Sequence, residues 1–238
     1  MEHAKCWWCG APATSGEHKS KRSDLARAFG DGTWRGPTAI AQVRDRVLSP
    51  QSSRAKALKF EKSLCHGCNT ARSQAFDRAY DTFADHIRDS GDQVLGTGVL
   101  DWTDVYGGDW QDGVELLARY WVKHIGCRVA QVGAVVSPGL IEFLDGSADL
   151  KHVHMGFEIR EDIVAVMSHL AGTHGESEHS LWLGPATGHV DRTSGLIVQV
   201  SSHSGINWLR VWYAYDFVDP VARSTTGPSR SSCPGTGR

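Results

Sequence analysis

Two Cys-x2-Cys knuckles, Cys6–Cys9 in "CWWCG" and Cys65–Cys68 in "LCHGC", constrain this chain more than any other feature. Four thiolates at that spacing make a tetrahedral set that zinc accepts without redox chemistry. The same ligands admit a mononuclear iron ion or a labile cluster as the alternative. In a reducing compartment such spacing favours metal over disulfides. The 55 residues between the knuckles exceed the needs of a compact zinc ribbon, so an insert stapled at its base is expected there. Cys127 reads as a buried thiol and Cys233 as part of a loose tail.

Length and charge then bound the rest. At 238 residues, 40% hydrophobic and 22% charged, the chain suits one large or two small globular domains. It has no apolar run of the ~18 residues a membrane span needs, and "MEHAKCWW" lacks a leader's apolar stretch. A cytoplasmic protein with no membrane partner is expected. Residues 1–89 carry 15 Lys+Arg against 10 Asp+Glu, and residues 90–238 carry 10 against 17. Residues 19–62 alone hold 11 basic against 4 acidic side chains, so a polyanion would be met there. A solvated basic loop is the plainer reading.

Periodicity predicts the elements. Residues 1–18 read as a short hairpin, with weak helical pattern in "SDLARAF" and "AIAQVRDRVL". Residues 69–89 place Ala75, Phe76, Ala79, Tyr80, Phe83 and Ile87 at helical spacing, with Asn69 as N-cap. Residues 90–110 are Gly-rich and read as a linker with one short strand. "DGVELLARYWVKHIGCRVAQVG" is a second helix with Leu117, Tyr120, Trp121 and Ile125 on one side, and "SPGLIEFLDG" a third opened by Pro138. Beyond it, "IVAVMSHLAG", "HSLWLG" and "GLIVQVSSHSGINWLRVWYAY" read as a small antiparallel sheet with a hairpin at "SHSG". The fold class is α+β. Residues 1–89 form a zinc-bearing domain, 90–218 an acidic, Trp-rich α+β domain, and 219–238 a disordered tail.

The second knuckle runs into the helix of residues 69–89, so zinc would pin that helix on the N-terminal hairpin in a treble-clef arrangement. Glu17-His18 lies eight residues past Cys9, and Asn69 directly follows Cys68. "CWWCG…SGEH…LCHGCNTARSQAFD" resembles the four-cysteine, zinc-bearing branch of the HNH (ββα-metal) endonucleases over about residues 4–89. The resemblance implies hydrolysis of phosphodiester bonds in nucleic acid, DNA by expectation, leaving 5′-phosphate and 3′-hydroxyl ends. By resemblance His18 is the general base, its tautomer held by a backbone carbonyl. Glu17 and Asn69 would bind one catalytic Mg2+ or Mn2+, and Arg72 would contact a phosphate. Cys6, Cys9, Cys65 and Cys68 would hold structural zinc. Lys19, Lys21 and Arg22 would contact backbone phosphates, with Arg44, Arg46, Arg54, Lys56 and Lys59 as weaker candidates.

Each assignment has a plainer rival. Glu17 could pair with a lysine, Asn69 could serve only as an N-cap, and His66 could replace a thiolate. His152 and His154 in "HVH" could share one face of a strand and bind metal. The chain departs from the family pattern in lacking a Pro after "EH" and an Asn in "KFEKSLC". A zinc-stabilised binding module without catalysis is therefore the alternative function. Residues 90–218 are expected to bury the long helix, and to recognise a partner protein or form a homodimer. A free-standing nuclease of this size would suit restriction, mobile-element or phage-defence work by family analogy.

Overall fold

The N-terminal knuckle turns tightly because Gly10 takes φ 77° and its N–H donates to the Cys6 carbonyl at 2.8 Å. In the computed structural model, which describes residues 4–34, 41–43, 46–147, 149–174 and 181–221, the expected hairpin shrinks to one bridge, Lys5 with Pro12. The extended partner of residues 15–18 comes instead from the far end of the insert. Ser15 bridges Leu64 and His18 bridges Lys59, both antiparallel. Phe60 N–H donates to Glu17 O at 2.9 Å between them. Gly16 is dictated by this pairing, since a Cβ there would lie 2.5 Å from the Phe60 carbonyl oxygen.

The insert holds α1 (Arg22–Phe29), a strand pair β1 (Ala41–Val43) and β2 (Arg46–Leu48), and a 3-10 turn at Lys56–Leu58. The expected helix over "AIAQVRDRVL" is thus corrected: Val43 and Val47 are β-branched, and strand pairing suits them better than a weak helical stripe. Polar contacts fasten α1 to the next helix, α2 (Gln74–Asp89). Asp24 is 1% exposed, pairs with Arg88 and accepts a 2.6 Å hydrogen bond from the Tyr80 hydroxyl. Arg27 pairs with Asp85, and Lys21 with Asp81 at 2.7 Å.

Helix α2 buries Phe76, Ala79, Tyr80, Phe83 and Ile87, the stripe its periodicity predicts. It starts at Gln74, however, so Asn69 is not its cap; residues 69–73 are turns closing off the knuckle. Two short helices, α3 (Gly91–Thr97) and α4 (Trp102–Tyr106), replace the expected linker strand. Local chemistry explains them: Asp101 caps Thr103 N–H at 2.8 Å, and the Tyr106 hydroxyl donates to Ala79 O at 2.9 Å.

Helix α5 (Trp110–Gln131) packs along α2 and is buried almost all round from Tyr120 to Val129. Ser137 caps α6 (Pro138–Leu144), with Pro138 at its start as expected. A five-stranded antiparallel sheet follows, ordered β3-β7-β6-β4 with β5 also on β6. Its strands are β3 (Val153–Ile159), β4 (Leu181–Leu183), β5 (Thr187–Val190), β6 (Ile197–Ile206) and β7 (Leu209–Val221).

Two expectations for this half fail. "IVAVMSHLAG" lies in a helix, α7 (Glu161–His174), where two acidic residues favour the first turn and Ile163, Val164 and Met167 fall on one side. The hairpin turn is Asn207-Trp208, not "SHSG": Ile206 pairs with Leu209, and Asn207 takes the left-handed φ of 52° that Asn tolerates. One cluster of buried side chains runs from Cys6 and Trp8 through α2 and α5 to Tyr213 and Tyr215 of β7. No helix among the described residues is long and apolar enough to cross a membrane. Residues 222–238, including Cys233, lie outside the described residues, as does Arg44.

Candidate metal centre and active site

The knuckles deliver what their spacing promises. The Sγ atoms of Cys6, Cys9, Cys65 and Cys68 all lie within 4.8 Å of one another. Tetrahedral zinc with ~2.3 Å bonds needs sulfurs slightly under 4 Å apart, so the set fits such an ion. Hydrogen-bond donors reach two of the sulfurs. Cys68 N–H donates to Cys65 Sγ at 3.4 Å, and Arg72 donates to Cys68 Sγ at 3.7 Å. The backbone donor at Cys68, with neighbouring thiols, brings the Cys65 pKa down to about 7, whereas burial pushes that of Cys68 up. His66 is exposed and outside the cluster.

Arg72 belongs to this centre. Its guanidinium pairs with Asp145 and lies 4.5 Å from the Trp8 ring centre, stacked above the knuckle. Its contacts are with the knuckle and Asp145, and it would offset thiolate charge there once a metal is bound.

His18 and Glu17 alternate along the extended segment, so they face opposite sides. The His18 ring places Nε2 3.2 Å from the Ser53 carbonyl oxygen. A carbonyl only accepts, so Nε2 carries the proton and Nδ1 is left bare. This is the tautomer-setting carbonyl whose identity the sequence did not reveal. Burial first, then the positive fields of Lys59, Arg22 and Lys123, lower the His18 pKa to about 4. The ring is therefore neutral at physiological pH. Arg22, Arg54, Lys56 and Lys59 make no side-chain ion pair or hydrogen bond among the described residues. Arg22, Arg54 and Lys56 are exposed, and Lys59 is half-buried. Lys19 and Lys21 are more occupied: Lys19 donates to Ala57 O at 3.0 Å, and Lys21 pairs with Asp81.

Glu17 faces inward and takes the plainer of its two sequence readings. Its Oε2 lies 2.8 Å from Nζ of Lys123 on α5, and its Oε1 accepts from His18 N–H at 3.1 Å. The same ammonium reaches Asp77 Oδ1 at 3.3 Å and Ser73 Oγ at 3.2 Å. Lys123 is fully buried. Burial alone would lower its pKa, but the charges of Glu17 and Asp77 outweigh burial and raise it, so the side chain is charged. Asn69 donates through Nδ2 to Ser15 Oγ at 2.8 Å, leaving its buried Oδ1 without a hydrogen-bond partner. Ser15 lies two residues before Glu17 on the same face, so Asn69 approaches that face but reaches neither carboxylate nor ammonium. Both Glu17 oxygens are thus engaged, and this arrangement does not fit a divalent ion held by Glu17 and Asn69.

His154 does not join His152 on a strand face. His152 precedes β3 with φ 61°, and His154 Nε2 pairs with Asp216 Oδ2 at 3.0 Å. Among the described residues only the four cysteines cluster as a metal site. Lys123 is the site residue that sequence reasoning missed, with His124 buried beside it. Their signal was present: Lys123 and His124 stand three and four residues after Tyr120, on the buried side of α5. Compared with known proteins, the chain matches no family model, no curated relative and no solved structure.

Proposed function

We propose that this chain is a zinc-stapled endonuclease of HNH type that hydrolyses phosphodiester bonds in nucleic acid, with His18 as general base. The observation that carries the reading is the state of His18. Its ring is neutral, its Nε2–H is held by the Ser53 carbonyl, and it lies in the positive field of Lys59 and Arg22. A base of this kind needs a bare nitrogen, and substrate phosphates need unpaired cations nearby.

In this mechanism Nδ1 takes a proton from a water as its oxygen bonds to phosphorus. The bond to the 3′-oxygen breaks, and that oxygen leaves as a hydroxyl after taking a proton from solvent. Lys59 and Arg22 attract the phosphate and offset charge on its non-bridging oxygens. Backbone pairing at Lys59 and the Glu17 contact to His18 N–H fix the base in place. The zinc centre anchors α2 and the segment bearing His18, and does no chemistry in this scheme. Sequence resemblance alone favours DNA over RNA.

The Glu17–Lys123 pair favours a second reading, a zinc-stabilised nucleic-acid-binding module without turnover. Labelled DNA and RNA strands and duplexes, incubated with zinc-loaded wild type and His18→Ala, separate the two. Cleavage by wild type alone, with 5′-phosphate products, supports the nuclease. Binding by both without cleavage supports the module.

A further inference from the structure

We propose that Lys123 is the resident cation of this site, held by the carboxylates that would otherwise take a divalent ion. Its Nζ has three oxygen partners, Glu17 Oε2 at 2.8 Å, Asp77 Oδ1 at 3.3 Å and Ser73 Oγ at 3.2 Å. These come from two segments, the extended stretch at Glu17 and the start of α2 at Ser73 and Asp77, and α5 brings the ammonium to both at once. Magnesium and manganese demand oxygens at about 2.0–2.2 Å and several bound waters. A fully buried ammonium seated 2.8–3.3 Å from these oxygens takes the place that such an ion and its waters would need.

Lys123 cannot touch a bound phosphate, because none of its surface reaches solvent. It is a positioning residue: it fixes the Glu17 carboxylate, whose other oxygen accepts His18 N–H. Its ammonium offsets one of the two carboxylate charges, and no chelator removes it. The upward shift of its pKa, against the effect of burial, agrees with a charge retained across the physiological range. A feature of the second half of the chain thus completes the N-terminal site, and His18 catalysis needs no added Mg2+ or Mn2+. This deepens the nuclease reading and rests on it for its catalytic meaning, while the ion-binding test below does not.

The test is Mn2+ binding to the zinc-loaded full chain, read by the electron paramagnetic resonance of free Mn2+. Wild type is expected to show no site tighter than millimolar. Lys123→Ala removes the ammonium and leaves Glu17 and Asp77 facing an opened space. It should gain a Mn2+ site at least ~10-fold tighter, with a melting temperature that rises with Mn2+ where that of wild type does not. Glu17→Gln in the Lys123→Ala background should abolish the gain. A micromolar Mn2+ site in wild type that Glu17→Gln removes would overturn the proposal, and so would a folded Lys123→Ala protein with no gain. Should Lys123→Ala not fold, the wild-type titration against Glu17→Gln decides alone. Because these readouts count bound Mn2+, a protein that cleaves nothing still confirms or refutes the resident cation, and only the nuclease reading falls.

Discussion

Docking of the knuckle on α5 makes a sharp prediction at Gly126. An alanine Cβ there would lie 2.5 Å from Cη2, 2.6 Å from Cζ2 and 3.0 Å from Cε2 of Trp7. Carbon–carbon contacts prefer about 3.5–4.0 Å, so the ring must retreat by roughly 1 Å. Its stack on the knuckle resists that retreat. Trp7 stacks on Trp8 with ring centres 6.0 Å apart, and Trp8 stacks on Phe76 and donates to Asp145 at 2.9 Å. In an open helix, Gly→Ala would stabilise by about 0.5–1 kcal/mol. Overpacking costs about 1–3 kcal/mol. Gly126→Ala should therefore lose about 1–2 kcal/mol net, measured as the urea midpoint of the zinc-loaded chain. On a Trp7→Ala background the same change should stabilise by about 0.5–1 kcal/mol, giving a coupling of about 2 kcal/mol. Equal or greater stability of Gly126→Ala with Trp7 intact would refute this docking.

Other expectations follow from single contacts. The folded His18 pKa of about 4 lies below its ordinary 6.5, so the unfolded chain binds the proton first as pH falls. Its contribution is therefore full above about pH 6.5 and lost toward pH 4, worth about 1–2 kcal/mol after solvent screening. Urea midpoints of wild type and His18→Gln at pH 7 and 4.5 should converge on the acid side. For the same reason, kcat/KM should stay level down to about pH 5, and an acid limb near 6.5 would contradict the His18 environment. Elemental analysis should return one zinc per chain, and Cys68→Ser should lose both the metal and cooperative melting, because metal binding here is folding energy. Asp24→Asn breaks a pair buried on both sides and should cost about 3–5 kcal/mol. Asp149→Asn, whose pair with Lys151 is mostly solvated, should cost under about 0.5 kcal/mol in the same urea assay.

How much of this was legible in the sequence depended on the range of the interaction. The knuckles, the α2 stripe and the Ser137-Pro138 start of α6 are local patterns, and all three stand where they were read. Helix α7 misled because Ile163, Val164 and Val166 carry strand-like branching, while the Glu161-Asp162 start favoured a helix. The sheet itself is non-local, and β3 shows no clean alternation because its Gly156 lies beneath the Trp212 ring. The site split the same way. The four cysteines were fixed by spacing, whereas the partners of Glu17 and His18 come from α5 and from the loop at Ser53. Arg72 fitted a phosphate contact by motif position, yet its side chain turns to Asp145 and the knuckle. No pattern within the motif could have announced Asp145.

The most direct measurement is nicking of supercoiled plasmid by zinc-loaded wild type and His18→Ala, with and without added Mg2+ or Mn2+. The account predicts nicking by wild type in every buffer and a loss of about 100-fold or more in His18→Ala. Equal nicking by both proteins, or none by either while zinc stays bound and the fold intact, would contradict it.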